Sequence, residues 1–381
     1  MGMRSIRLGR LAGIPIGVQP LWLVIVALIT LSLGAAYYPD EAPGIAPAAA
    51  YALGLLSALL LFGSILLHEL GHALVARRHG VEIEEIDLWL LGGVARMSGY
   101  PQRALDELHF AIAGPAVTLV IAGVFGAIAL ALPGSAPQWL EAVVVYQATV
   151  NAVILVFNLL PAFPLDGGRV TRALLWRHRD DISSATETAA KIGRGFGYGM
   201  IGLGIFSFAT GGFGGLWLAL IGLFVIVAAK AEENGLRVRL ALGGRSAGRL
   251  MSCPAVTIPA ATTVEDALQL YFLAAKHPAF PVVDGGRVLG LAELGAIERV
   301  PPQRRGCLTV AAIADPDPDL VVREDQDVAE MLEHPAFLRI GRAAVLTADG
   351  RIGVLSITDV NRVLRALELA GGPSAPTVRA A

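Results

Sequence analysis

The chain has 381 residues, of which 55% are apolar and only 16% are charged, and its mean hydropathy is +0.62. An ordinary soluble domain carries about 25% charged residues, so much of this surface is expected to face lipid rather than water. The formal net charge is -2 and no basic run appears, which argues against a nucleic-acid partner. Cys253 and Cys307, the two cysteines, both lie in the polar C-terminal third, where they suit a reducing cytoplasm better than a disulfide framework.

Six apolar stretches of the first 230 residues predict membrane-spanning helices, because a span needs about 20 mostly apolar residues. They cover residues 20–38, 47–76, 104–132, 141–160, 195–209 and 213–229. The last two are shorter and rich in glycine. The first stretch is interpreted as a retained helix rather than a cleaved signal peptide, although Ala35-Ala36 before Tyr37 resembles a cleavage site.

The basic residues of this region lie in alternate loops. The loops at 39–46, 133–138 and 210–215 contain no Lys or Arg. The N-terminal segment and the remaining loops carry Arg4, Arg7, Arg10, Arg77, Arg78, Arg96, Arg103, Arg169, Arg172, Arg177, Arg179, Lys191 and Arg194. By the positive-inside rule, a multi-pass protein of the cell (inner) membrane is predicted, with both termini in the cytoplasm.

Residues 81–99 have a different pattern. Ile86, Leu88 and Leu90 alternate with acidic or aromatic residues, which is the period of a β-strand. Gly92-Gly93 is expected to turn the chain or to permit close backbone approach. We predict a short β-hairpin or sheet that dips toward the membrane from the cytoplasmic side, covered by protein or lining a wet cavity.

The motif His-Glu-Leu-Gly-His occupies residues 68–72 in the second predicted span. His68 and His72 are four residues apart on one helix face, about 6 Å along the axis, so both imidazoles can reach one Zn²⁺. Glu69 can accept a proton from a water at the metal. The plainer alternative is a helix end whose polar side chains reach the headgroups, but ionisable groups in hydrocarbon are costly and need a compensating reason.

A catalytic zinc needs a third protein ligand. The fourth predicted span ends in Asn158-Leu-Leu-Pro161-Ala-Phe-Pro164-Leu-Asp166-Gly-Gly. The prolines break the helix, and Asp166 then lies at the same predicted membrane depth as His72. The alternative role for Asp166 is that of a turn or capping residue before two glycines.

His68-Glu-Leu-Gly-His72 on one span and Asn158 to Arg169 at the end of another resemble the site-two protease family of intramembrane zinc metalloproteases. Gly92-Gly-Val-Ala-Arg96 and the Ala-Gly-Pro around Gly114 also match, and the resemblance covers about residues 5–230. It implies that His68, His72 and Asp166 bind zinc, that Glu69 is the general base, and that Asn158 faces the substrate and holds it or the oxyanion.

The polar C-terminal part carries two units with the order strand, helix, strand, strand, helix, at about 251–300 and 308–367. This duplication resembles a tandem pair of CBS domains, which implies binding of ATP or another adenine nucleotide and a homodimer through this domain. Ser356 and Asp359 match the nucleotide-binding pattern, whereas the first unit has Ala292 and Gly295 there. The alternative is that Ser356 only caps a helix whose first turn contains Asp359.

The predicted fold class is a polytopic α-helical membrane protein, with about six transmembrane helices and a short membrane-associated β element, followed by an α/β tandem CBS domain. The predicted domains are the protease at 1–230, a linker at 231–248, the CBS pair at 249–370 and a disordered tail at 371–381. The predicted activity is zinc-dependent cleavage of transmembrane or membrane-tethered proteins, modulated by nucleotide. A CBS-regulated transporter and an inactive protease-like binding protein are the alternatives.

Overall fold

The computed structural model describes residues 6–89, 92–98, 103–212, 214–275, 277–332 and 334–370. The predicted tail at 371–381 lies outside these residues. The chain divides into two compact units, Met1–Glu233 and Asn234–Ala381, and each is described by itself.

Eight helices lie among the described residues of the N-terminal unit, and the last of them continues past the boundary at Glu233. They are α1 (Pro20–Ser32), which continues through a π-helical turn (Leu33–Tyr37) into α2 (Tyr38–Glu41), then α3 (Pro47–Arg78), α4 (Ala104–Ala131), α5 (Gln138–Asn158), α6 (Asp166–Arg179), α7 (Ile182–Ala209) and α8 (Gly214–Leu242).

Five helical stretches among the described residues are long and apolar enough to cross a membrane. They are Pro20–Glu41, α3, α4, α5 and α8. The predicted span at 195–209 is the apolar second half of α7, whose first half carries polar residues such as the ion pair Glu187 and Lys191. Helix α6 was missed by the sequence analysis because its residues are too polar for a span.

A four-stranded sheet accompanies these helices, in the order β1-β2-β3-β4. Its strands are β1 (Ile6–Leu11), β2 (Ile14–Val18), β3 (Glu82–Trp89) and β4 (Gly92–Ser98). The hairpin predicted at 81–99 is therefore present as β3 and β4, which are antiparallel. The parallel pairing of β2 with β3 was not predicted, and it makes the N-terminal hairpin part of the same sheet.

The sheet packs on the helix that carries the metal-binding motif. Ile14, Ile16 and Ile86 from β2 and β3 form a buried cluster with Ala73 of α3. Ala73 follows His72 directly in the chain, so the inner face of the sheet lies against the second half of α3.

The C-terminal unit contains two three-stranded sheets of the same design. The first contains β5 (Ile258–Pro259), β6 (Ala279–Asp284) and β7 (Arg287–Glu293), and the second contains β8 (Val321–Arg323), β9 (Arg342–Leu346) and β10 (Ile352–Ser356). In both, the first strand is parallel to the middle strand and the third is antiparallel to it. The helices are α9 (Ala247–Leu250), α10 (Val264–Ala267), α11 (Leu273–Ala275), α12 (Leu294–Glu298), α13 (Pro302–Arg305), α14 (Val328–Met331), α15 (Pro335–Ile340) and α16 (Ile357–Leu369).

The two repeats interlock. Residues before the first repeat pair with the second, because Ser252 forms a bridge with Val354 and Ser246 forms one with Asp327. The predicted linker at 231–248 is helical as far as Leu242, which is fully buried in the core of the second repeat. Much of that linker is therefore ordered structure that belongs to this unit.

Candidate active site

Helix α3 places both motif histidines on a buried face. His68 and His72 are 6% and 4% exposed. Their ring centroids are 4.8 Å apart, as expected for residues one turn apart on the same side of a helix. The predicted clustering of these two side chains follows directly from their spacing.

A tight turn brings the third residue to them. Helix α5 ends at Asn158, and α6 begins at Asp166. A side chain at Gly167 would lie 2.3 Å from the carbonyl oxygen of Leu160, and one at Gly168 would lie 2.6 Å from the Phe163 nitrogen. The two glycines are therefore required sterically, because the chain folds back on itself where it delivers the Asp166 carboxylate.

Three potential ligand groups converge at this point. His68 Nε2 lies 3.1 Å from Asp166 Oδ2, and His72 Nε2 lies 3.2 Å from Asp166 Oδ1. The two Nε2 atoms are 3.2 Å apart. Ligand atoms about 2.0–2.1 Å from a tetrahedral zinc are about 3.3 Å from one another, so the observed spacings match a zinc coordination shell.

The outer nitrogens of both imidazoles are held by α4. His72 Nδ1 lies 2.7 Å from the carbonyl oxygen of Phe110, which can only accept, so this nitrogen carries the proton. His68 Nδ1 lies 2.8 Å from Thr118 Oγ1. The Thr118 hydroxyl can accept a hydrogen bond as well, so His68 can take the same tautomer as His72. In that tautomer both Nε2 lone pairs point at the common centre, as a metal requires.

The environment of the Asp166 carboxylate also favours a bound cation. Asp166 Oδ2 is buried and receives no hydrogen bond, although it is close to His68, because that nitrogen presents a lone pair. A buried anion facing two lone pairs is stable only with a positive charge between them, and the donor set of two imidazoles and a carboxylate is typical of catalytic zinc.

Two glycines leave room around this centre. A Cβ at Gly114 of α4 would lie 2.2 Å from His72 Nε2 and 2.7 Å from His68 Nε2. A Cβ at Gly93 of β4 would lie 2.4 Å from Glu69 Cγ. The close backbone approach that was predicted for the Gly92-Gly93 pair is therefore made to Glu69, and it places the first residues of β4 beside the proposed base.

Asn158 is the last residue of α5 and is half-buried. Its side chain does not belong to the ligand group that the structure describes, which consists of His68, His72 and Asp166. The turn that leads to Asp166 begins directly after it, and its role stays a prediction.

A buried ion pair that the sequence analysis missed secures α6. The side chains of Arg172 and Glu107 are only 3% and 2% exposed. Arg172 Nε donates to Glu107 of α4 at 2.7 Å, and Nη1 donates to Glu232 of α8 at 2.8 Å. Its guanidinium also lies over the Phe163 ring, 5.1 Å from the centroid. The available signal was Glu107 itself, an acidic residue inside an otherwise apolar helix.

In the C-terminal unit, Ser356 and Asp359 form a capping box at the start of α16. Asp359 Oδ2 accepts from the backbone nitrogen of Ser356 at 3.1 Å and from its hydroxyl at 2.5 Å. Ser356 therefore caps helix α16, with Asp359 in its first turn, and nucleotide binding by these two residues stays a prediction. In the first repeat, the residue at the N-cap of the corresponding helix α12 is Glu293, not Ala292 as the sequence alignment predicted. Neither Ala292 nor Glu293 is a Ser or Thr, so the first repeat lacks the nucleotide-binding pattern whichever residue is aligned with Ser356.

Comparison with known proteins identifies the family. The model of peptidase family M50 matches residues 56–142 and 134–200, and the CBS domain model matches residues 247–299. The chain is 38% identical over 371 residues to the protein Rip3 of Mycobacterium tuberculosis, covering 96% of this chain and 94% of that protein. It is 32% identical over 311 residues to zinc metalloprotease MJ0392 of Methanocaldococcus jannaschii, covering 82% and 85%.

Among solved structures, a site-2 protease from Methanocaldococcus jannaschii is 31% identical and covers 60% of this chain and 95% of that chain, with a TM-score of 0.40. The chain belongs to peptidase family M50, the site-two proteases. It is a zinc metalloprotease and a membrane protein, and it carries a CBS domain.

Proposed function

We propose that this protein is an intramembrane protease that cleaves transmembrane or membrane-tethered proteins, as in regulated intramembrane proteolysis. His68, His72 and Asp166 hold the zinc, and Glu69 is the general base. The observation that carries the proposal is the convergence of three ligand atoms within 4.8 Å of one another, with each Nδ1 bonded away from the centre.

Different residues are proposed to serve as zinc ligands, general base and substrate-binding group in peptide hydrolysis. Zinc supplies the Lewis acid that polarises the scissile carbonyl and makes water nucleophilic near neutral pH. Glu69 takes the proton from the attacking water and returns it to the leaving amine. Phe110 and Thr118 keep the imidazoles in the required tautomer, while Asn158 is proposed to hold the substrate or the oxyanion.

The substrate is proposed to add as an extra strand to β4. A transmembrane helix hides its carbonyls in hydrogen bonds, so it must unwind before it is cleaved. Strand β3 pairs with β2 on one side and with β4 on the other, so both of its edges are occupied. Within the described sheet, β4 has a single neighbour, so its outer edge is free for β-addition, and it begins beside Glu69.

The test is to map the cleaved bond. The purified protein is reconstituted in nanodiscs with a single-span substrate, and the products are identified by mass spectrometry. Cleavage within the apolar segment, abolished by a zinc chelator and restored by added zinc, is the expected result. Cleavage only outside the bilayer segment would limit the protein to ordinary peptidase activity at the membrane surface.

We also propose that both termini and the CBS unit lie in the cytoplasm, because the Lys and Arg residues are concentrated in the loops on that side. Cys307 is exposed and Cys253 is partly buried, so Cys253→Ser leaves one accessible thiol in the C-terminal unit. A membrane-impermeant maleimide should label this variant in inside-out vesicles and leave it unlabelled in intact cells. Labelling in intact cells would reverse the proposed orientation.

Modulation by ATP or a related adenine nucleotide, with Ser356 and Asp359 at the site, is the last part of the proposal. Arg342 is the cross-strand partner of Ser356, and its Nη2 lies 3.2 Å from His277 Nδ1 of the first repeat. Burial lowers the pKa of Arg342 while the charge of Asp359 opposes that effect, so the guanidinium is incompletely compensated and suits a phosphate. A ligand that prefers one arrangement of the repeats, including a homodimer, then shifts the cleavage rate.

The test is ATP titration into the full chain, with the cleavage rate as readout. In wild type, ATP should change the apparent affinity for the substrate about 5- to 150-fold if the coupling has its usual size. Arg342→Gln and Asp359→Ala should each reduce that change. Arg323→Gln in the same repeat, where the side chain is 82% exposed, is the matched control. A wild-type rate that does not change with ATP would leave the CBS unit as a dimerisation or docking module.

A further inference from the structure

The N-terminal hairpin carries a feature that the protease reaction does not use. Arg7 and Arg10 of β1 are three residues apart, so in a regular strand their side chains would point to opposite faces. The register of β1 against β2 shifts between Arg7 and Gly9. This β-bulge adds one residue at Leu8 and re-aims the side chains that precede it.

The bulge places both arginines on the same face. Arg7 pairs with Gly17, and Arg10 pairs with Pro15. Directly paired residues share a face of an antiparallel sheet. The opposite face is the one that contains Ile14 and is packed against α3, so the two guanidinium groups belong to the outer face.

A shallow pocket lies at this point. It is lined by Arg7, Leu8, Gly9, Arg10 and Pro15. Both arginines are exposed, and neither has an acidic partner within the part of the chain that the structure describes. Two cations facing one pocket without a counter-charge form a site for an anion.

The hairpin is connected to the ends of two helices that are long and apolar enough to cross a membrane. Only Gln19 separates β2 from the start of α1 at Pro20, which begins the first membrane-crossing stretch. At its other end, the turn is held by Arg77 of α3, whose Nη1 donates to the carbonyl oxygen of Ala12 at 2.7 Å. Arg77 lies in the last turn of a second membrane-crossing helix, so the hairpin is anchored where one span begins and another ends.

The apolar residues of β1 match such a location. Ile6, Leu8 and Leu11 are 55%, 65% and 40% exposed, although Ile6 and Leu11 pair with Val18 and Ile14 and so belong to the other face of the hairpin. Exposed aliphatic side chains next to unpaired arginines suit the boundary between headgroups and acyl chains, where both find favourable contacts.

We propose that the outer face of this hairpin binds the phosphate of an anionic phospholipid between Arg7 and Arg10, with Leu8 against the acyl region. The site would fix the position of the sheet relative to the bilayer. Because β2 pairs with β3 and β3 with β4, it would also fix the depth of the strand beside Glu69.

The test is lipid retention by the full chain, measured by native mass spectrometry in detergent with added phosphatidylglycerol or phosphatidylcholine. Wild type should retain phosphatidylglycerol preferentially. Each arginine near an anionic lipid is worth about fivefold in affinity, so the double variant Arg7→Gln, Arg10→Gln should lose about 30-fold. Unchanged zinc content and a single elution peak show that the variant is folded.

The decisive control keeps the net charge of the hairpin but moves one positive charge to its other face. Arg10→Leu combined with Leu11→Arg retains the composition but transfers the cation to the inner face, where residue 11 pairs with Ile14. Loss of phosphatidylglycerol preference in this variant supports a defined site, whereas full retention means that only net charge matters and overturns it. Equal retention of both lipids by wild type, or displacement of the lipid by inorganic phosphate, also overturns the proposal.

Discussion

At the residue scale, the site histidines are defined by the partners of their outer nitrogens as much as by their own spacing. The motif at 68–72 and its resemblance to a known family led to His68, His72 and Asp166, and the structure brings the three together. Thr118 and the Phe110 carbonyl were not predicted. A single threonine or a backbone oxygen in an apolar helix carries no pattern, because its role depends on how α3 and α4 pack.

Asp166→Ala is expected to lower the zinc affinity strongly, since it removes the only anionic ligand of the proposed set, and His68→Ala should do so at least as much. Metal content after dialysis against a chelator of known affinity measures the effect. Asp106→Ala is the matched control, because Asp106 pairs with His79 outside the ligand group. Full zinc occupancy in Asp166→Ala would mean that the third ligand lies elsewhere.

At the element scale, long apolar helices could be predicted and the polar or short elements could not. The spans that became α3, α4 and α5 follow from length and composition. Helix α6 has one buried side and one polar side, so it produces no apolar run. Strands β1 and β2 are only six and five residues long, and their place in the sheet depends on a parallel pairing with residues far along the chain.

The contact between β4 and α3 gives a prediction about catalysis. Gly93→Ala adds a methyl group 2.4 Å from Glu69 Cγ, so the base must move. A displacement of about 1 Å typically costs about 100-fold in rate. The variant should keep its zinc and lose most of its turnover, whereas Gly63→Ala, which meets open space, should retain both. Normal turnover in Gly93→Ala would place the working position of Glu69 away from β4.

The buried pair between α4 and α6 gives a prediction about stability. Arg172→Met leaves Glu107 buried without its partner, which typically costs about 3–5 kcal/mol. The double variant Arg172→Met, Glu107→Met should recover most of that loss, because the fully buried carboxylate is gone and the other partner of Arg172, Glu232, has a side chain that is 24% exposed to water. Thermal inactivation in detergent measures the difference, with the exposed Arg177→Met as control. If the double variant were no more stable than the single one, the account of Glu107 as an uncompensated charge would be wrong.

At the scale of the whole molecule, the change in composition after Lys230 predicts a domain boundary there, and the described chain divides into compact units after Glu233. The internal repeat was also predicted, since strand order and polarity are the same in both copies. The interlocking of residues 246–252 with the second repeat was not predicted. Isolated bridges between distant residues leave no local pattern in the sequence.

One carboxylate beside the proposed zinc ligands, that of Glu69, is proposed to move the protons of peptide hydrolysis. Glu69→Gln preserves the size and shape of the side chain but removes its basicity. Zinc content and cleavage of a single-span substrate are to be measured on the same reconstituted sample. We predict wild-type zinc content together with loss of turnover by at least the 100- to 10,000-fold usual for general acid–base catalysis. Wild-type turnover in the zinc-loaded variant would contradict the assignment of Glu69 as the base.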